Sequence, residues 1–175
     1  MSLVIVETLS DSPLILEELT DPHSLVLKCL AERNATWRYS LLSSDRHRMI
    51  CTFEAPDAES VRESYRKGGG FFSHIWSGEL MLPESDPPLH DDTSLKIFEV
   101  TFSEGLTQEQ WDEANRHVLP CYAERGVEWV QSYVSRDRTR VVCELNAPDA
   151  EAIREAHRKA GVPCDRVWSA LLIKP

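Results

Sequence analysis

No apolar run in this chain approaches the ~20 residues that a membrane-spanning helix requires. Basic residues are scarce as well, with 19 Lys and Arg against 29 Asp and Glu, for a formal net charge of −10. No basic cluster interrupts that balance, so nucleic acid and anionic membrane are poor partner classes. The start, Met1-Ser2-Leu3-Val4-Ile5-Val6-Glu7, has neither the basic opening nor the longer apolar stretch of a secretion signal, and reads as a first β-strand. The five cysteines are odd in number and include no C-x-x-C pair. Cys29/Cys121 and Cys51/Cys143 recur at equivalent apolar positions and are expected to be small buried hydrophobes in a reducing cytoplasm, rather than disulfide-forming. Gly68-Gly69-Gly70 follows a helical pattern instead of opening one and lacks a G-K-[ST], so a flexible helix exit is expected and a phosphate loop is not. No Ser–His–Asp order and no H-E-x-x-H is present. The sequence therefore holds no complete catalytic signature.

What it does hold is a repeat. Leu3–Pro83 aligns with Leu95–Pro175 at a constant offset of 92, without a gap, with 32 identities in 81 pairs. Trp37/Trp129, Cys29/Cys121, Cys51/Cys143 and Trp76/Trp168 all recur, as does Ala55-Pro56-Asp57-Ala58-Glu59 in Ala147-Pro148-Asp149-Ala150-Glu151. A period this long marks a duplicated domain and not a short solenoid unit. Each copy of about 80 residues is small for an independent core, and duplication supplies a partner surface within one chain.

The second copy reads element by element. Leu95–Phe102 is a β-rich, partly alternating strand. Thr107 with Gln110 has the spacing of a capping box, flanked by Leu106 and Trp111 as a hydrophobic staple. The helix it opens is expected to reach Arg125, to stop at Gly126, and to kink or break at Pro120. In the first copy, Asp21-Pro22 predicts a helix restart, giving two pieces near 13–20 and 22–33. Trp129–Ser135 and Arg140–Ala147 form a hairpin around a short polar turn. Asp149 caps a second helix that Gly161-Val162-Pro163 closes, and Val167–Ile173 is the last strand.

The order β-α-β-β-α-β is the ferredoxin-like split motif. The expected fold is α+β, with a first repeat over 1–83, a semi-extended polar linker over 84–94 and a second repeat over 95–175. Met49, Cys51 and Phe53 on one face of a strand and Ile50 on the other predict burial on both sides of the sheet. The two repeats are therefore expected to pack as a pseudo-twofold intramolecular dimer resembling an α+β barrel. The chain would act as a monomeric pseudo-dimer, with higher oligomers open.

Several side chains are candidates for chemistry. Glu7 and Glu99 lie at the same place on the first strand of each copy, where a carboxylate pairs with a cation, meets water at a strand end, or faces a ligand. Trp37 and Trp129 fill core or interface, or wall a planar ligand; one face of the central strand pair could combine Trp129, Gln131 and Tyr133. His74 precedes the final strand of its repeat. His117 and Cys121 stand four apart on one helix, a spacing able to hold a soft metal or simply to place a polar residue beside a buried thiol. His157 lies beside the apolar stripe of the last helix.

Ser132-Tyr133 after Trp129, Cys143, Ala147-Pro148-Asp149, Ile153-Arg154-Glu155 and Gly161-Val162-Pro163 form a string that resembles a bacterial domain family of unknown function. Its best-known members are small nickel-binding proteins with a ferredoxin-like fold. The resemblance covers each repeat and so nearly the whole chain. It implies a divalent transition metal such as nickel, with His157 as a ligand. Members commonly read Arg-Glu-His-Ala where this chain has Arg154-Glu155-Ala156-His157 and Arg62-Glu63-Ser64-Tyr65. Three functions stay open at this point. One is a binding module for a metal or small ligand held between the repeats. Another is a small-molecule enzyme of oxidation or isomerisation using a barrel cavity. The third is a protein-interaction domain.

Overall fold

A computed structural model describes residues 1–175. The first repeat contains β1 (Ser2–Leu9), α1 (Leu16–Leu19), α2 (Leu25–Glu32), β2 (Thr36–Ser43), β3 (Arg48–Ala55), α3 (Ala58–Gly68) and β4 (His74–Met81). The second contains β5 (Leu95–Thr101), α4 (Gln108–Glu124), β6 (Glu128–Ser135), β7 (Arg140–Asn146), α5 (Ala150–Ala160) and β8 (Arg166–Ile173). The fold is α+β, two tandem ferredoxin-like repeats, as the sequence predicts. No helix is long and apolar enough to cross a membrane.

Two compact units form, and their limits exchange the strand ends. One unit comprises Met1–Gly78 with Leu171–Pro175; the other comprises Glu79–Ala170.

In the first unit the antiparallel strand order is β4-β1-β3-β2, followed by the Leu171–Ile173 end of β8. β1 sets Val6 opposite Cys51 and Glu7 opposite Ile50, while its other edge sets Glu7 opposite His74. Val4, Val6, Leu42, Cys51 and Phe53 turn one face of this sheet to Leu30, Val61 and Tyr65 of the helices, and Ile173 joins that core. Ile5, Leu41 and Ile50 point the opposite way and are equally buried, the two-sided burial expected from the apolar pattern.

The second unit has the order β8-β5-β7-β6, followed by the Glu79–Met81 end of β4. Phe98, Val134, Val141, Cys143 and Leu145 face Trp111, Val118, Tyr122, Ile153 and Ala156, with Met81 against the same cluster.

Local chemistry explains the helix limits. Thr107 accepts the Gln110 N–H at 3.1 Å while the Gln110 side chain accepts the Thr107 N–H at 2.9 Å, a complete capping box. Asp57 and Asp149 cap α3 and α5 by accepting the N–H of Ser60 and Ala152 at 2.7 and 2.8 Å. Gly69, Gly126 and Gly161 leave their helices in the left-handed conformation.

Three local expectations are corrected. α4 runs through Pro120 as one helix and does not break there. Asp21 does not cap a helix. Its carboxylate accepts the His23 N–H at 2.9 Å in a turn, and α2 begins only at Leu25, after Ser24. The Gly68–Gly70 segment is not a loose exit: a Cβ on Gly68 would lie 2.7 Å from Val26 Cα, and one on Gly70 2.8 Å from the Val26 side chain. Those glycines are there for close packing.

Candidate functional site

Each repeat buries the same hydrogen-bonded chain. A β-bulge between Trp129 and Gln131 turns Trp129 onto the face of Ser132, three residues on. The Trp129 indole N–H donates to Ser132 Oγ at 2.9 Å, and Ser132 donates to Cys143 Sγ at 2.8 Å. The bulge between Trp37 and Tyr39 does the same in the first repeat, with Trp37 to Ser40 at 3.0 Å and Ser40 to Cys51 at 2.9 Å. Burial pushes the Cys51 thiol up to about 11 and Cys143 up to about 12, against the opposing serine hydrogen bonds. Both stay thiols at neutral pH, packing groups and not nucleophiles.

The repeats part company at the next residue inward. In the first, Tyr65 reaches Cys51 and is met edge-on by Phe53 and Phe72 at ring separations of 6.2 and 5.8 Å. In the second, the aligned residue is His157, 3% exposed, with its ring 4.4 Å from that of Phe98. Its Nδ1 lies 3.3 Å from the Val162 carbonyl oxygen, and its Nε2 meets the hydroxyl of Tyr122 on α4. A carbonyl only accepts, so Nδ1 carries the proton and Nε2 takes the Tyr122 O–H. Desolvation lowers the His157 pKa, so the ring is neutral, and burial raises the Tyr122 phenol well above its usual range.

This pair lines a cavity of about 780 Å³ between the sheet and helices α4 and α5. Phe98, Trp111, Val118 and Trp129 make much of its apolar wall, with the Trp111 and Trp129 rings 6.2 Å apart. Glu109 and Glu113 stand at its exposed rim with His117, whose Nε2 is 2.7 Å from Glu113 Oε1. The corresponding space in the first repeat, around Trp37, Cys51 and Tyr65, is about 360 Å³. The second repeat has the room and the polar pair.

Three further buried carboxylates sit elsewhere. Glu7 accepts the Trp76 indole N–H at 2.8 Å, and Glu99 accepts that of Trp168 at 2.6 Å. On β7, fully buried Glu144 meets His90 Nε2 at 2.5 Å and the Gln131 amide at 3.1 Å, and Gln131 also donates to the Tyr133 hydroxyl at 3.2 Å. The first repeat has Thr52 in place of Glu144, so this cluster belongs to the second alone.

The cavity thus gathers Trp129, His157 and His117 from the sequence candidates. Trp37 lines the smaller space of the first repeat, and His74 is exposed beside Glu7 across the β1–β4 pair. The expected joint face of Trp129, Gln131 and Tyr133 is overturned by the bulge, which sends Trp129 to the helix side and leaves the other two with Glu144. Tyr122 was missed. Its signal was available only as two apolar helix stripes, on α4 and α5, each carrying one polar ring.

The family model described as nickel responsive protein SCO4226-like matches residues 4–77 and again residues 97–169. The chain belongs to that family, in tandem. No curated protein matches it. Among solved structures, SCO4226 from Streptomyces coelicolor A3(2) is 22% identical over 42% of this chain and 91% of its own, with a TM-score of 0.39. An anthrone oxidase-like protein is 11% identical over 99% of this chain and 90% of its own, at 0.48. A protein of unknown role from Galdieria sulphuraria is 13% identical over 99% and 98%, at 0.38.

The name of the SCO4226-like family raises nickel, and the donor set here does not fit a resident ion. No three His, Cys, Asp or Glu side chains gather where a metal could be held. Both ring nitrogens of His157 are engaged, by Tyr122 and Val162. His117 turns outward to Glu113, whereas Cys121 is buried with its Sγ 3.4 Å from the His117 carbonyl oxygen. His157, His117 and Cys121 are therefore not brought together as ligands.

Proposed function

We propose that this chain is a binding module whose second repeat takes a small, largely apolar organic molecule in the space between its sheet and helices α4 and α5. The observation that carries this reading is the cavity of about 780 Å³ with the Tyr122–His157 pair in its wall. Its volume is within the ~300–1,000 Å³ typical of small-molecule sites, and its make-up, an apolar surface with a few placed polar groups, is theirs as well. Neutral His157, the hydrogen-bonded tyrosine and the inert Cys143 thiol supply orientation and shape. None is arranged as an activated nucleophile.

Calorimetric titration of the full chain with naphthalene-sized aromatic probes tests the proposal, with Val118→Phe as a variant that fills the cavity. Saturable one-to-one binding, weakened in the variant while its circular dichroism stays native, supports the site. Titration with Ni²⁺, using Ca²⁺ as control, is the competing arm. Stoichiometric nickel binding with no organic probe bound would overturn the proposal in favour of a metal-binding module.

A further inference from the structure

We infer that the molecule taken up by the second repeat is an uncharged planar aromatic bearing one O–H or N–H donor, which Tyr122 receives. This rests on the cavity reading above and goes beyond it by assigning the ligand's chemistry.

The direction of the hydrogen bond within the buried Tyr122–His157 pair carries it. His157 Nδ1–H is committed to the Val162 carbonyl, so Nε2 offers a lone pair and the Tyr122 hydroxyl donates its only proton there. The Tyr122 oxygen is left with acceptor capacity and no proton to give. A ligand that can only accept a hydrogen bond gains nothing from it; one that donates does. The serine farther in has no proton to give a ligand either, since Ser132 donates to Cys143 while accepting from Trp129.

Charge is excluded from both sides. No Lys or Arg lines the cavity, His157 is neutral, and the rim carries Glu104, Glu109 and Glu113, so an anion would be repelled on entry and unpaired inside. A cation would be drawn to the rim but stripped of water against Phe98, Trp111 and Trp129 with no buried carboxylate among the lining groups to receive it. The aromatic walls select a flat ring system. The first repeat cannot offer the same site, because Leu30 stands where Tyr122 does and Tyr65 takes the place of His157.

The test is a ranking of four probes by calorimetry at neutral pH: 2-naphthol, 2-methoxynaphthalene, naphthalene and 2-naphthoate. The expected result is 2-naphthol about tenfold or more tighter than the methoxy and parent compounds, as for a hydrogen bond made to a buried acceptor, and no binding of the naphthoate. Tyr122→Phe, checked for native near-ultraviolet dichroism, should bind 2-naphthol no better than naphthalene. Equal affinity for the three neutral probes in the unaltered protein would overturn the ligand class while leaving the cavity reading intact. So would tightest binding of the naphthoate, or a naphthol preference that survives in Tyr122→Phe. Binding of none of the four would overturn both.

Discussion

Glu7 accepts the indole N–H of Trp76 at 2.8 Å, and its counterpart Glu99 accepts that of Trp168 at 2.6 Å, so the duplication has kept a buried carboxylate–indole bond in both copies. A pair preserved at the same register on β1–β4 and β5–β8 ties the first strand of each repeat to its last. Glu7→Ala strands a part-buried indole donor and should cost about 1–3 kcal/mol, and Glu7→Gln should cost less because an acceptor oxygen remains. Urea unfolding of the two variants checks the order. Equal loss in both would assign the stabilisation to the negative charge rather than to the hydrogen bond.

The neutral imidazole of His157 makes stability fall on mild acidification. Burial lowers its folded pKa below the unfolded value of 6.5, so below that value the unfolded chain binds a proton that the folded one refuses. The unfolded state then binds more protons, and unfolding free energy drops with falling pH until the folded pKa is reached. His157→Gln removes that contribution. Melting temperatures of the two proteins from pH 8 to pH 5 should therefore converge as pH falls, with the unaltered chain losing more.

Thiol accessibility should follow burial. Cys29, Cys51, Cys121 and Cys143 are buried, with Cys51 and Cys143 further held as thiols, and Cys164 is half-buried. A disulfide reagent at pH 8 should label at most Cys164, slowly, in the native protein, and all five cysteines in denaturant. Rapid native labelling of Cys143 would show that the cavity wall opens.

Gly68 offers a contest between two effects of known size. Replacing a helical glycine by alanine ordinarily gains about 1 kcal/mol. Here the added Cβ would sit 2.7 Å from Val26 Cα, and overpacking of that kind costs about 1–3 kcal/mol. Gly68→Ala should be destabilising in net, although the aligned residue of the second repeat is Ala160. Thermal melts decide the sign.

Those same positions mark the boundary of what the sequence discloses. The repeat, the element order, the Thr107–Gln110 box and the Asp149 cap depend on residues close together in the chain, and all were legible. Gly68 was misread as a flexible exit because its constraint comes from Val26, 42 residues away. Trp129 was placed on the wrong face because one bulge residue reverses the alternation from there on, and nothing in the composition announces it. Tyr122 and His157 are 35 positions apart on different helices, so only the packing of those helices creates the pair. Local rules are read from the chain; partners set by packing are not.

The exchange of strand ends bears on how this molecule could have changed over time. Ile173 is part of the core of the first unit, and Met81 packs into that of the second. A break between the repeats would leave residues 1–83 without Ile173 and residues 95–175 without Met81. Each copy would lose a packing contribution on separation. Each repeat therefore carries a piece of the other's core, and the two interiors need not match. One copy keeps a space of about 360 Å³ around Tyr65, and the other holds about 780 Å³ around a histidine.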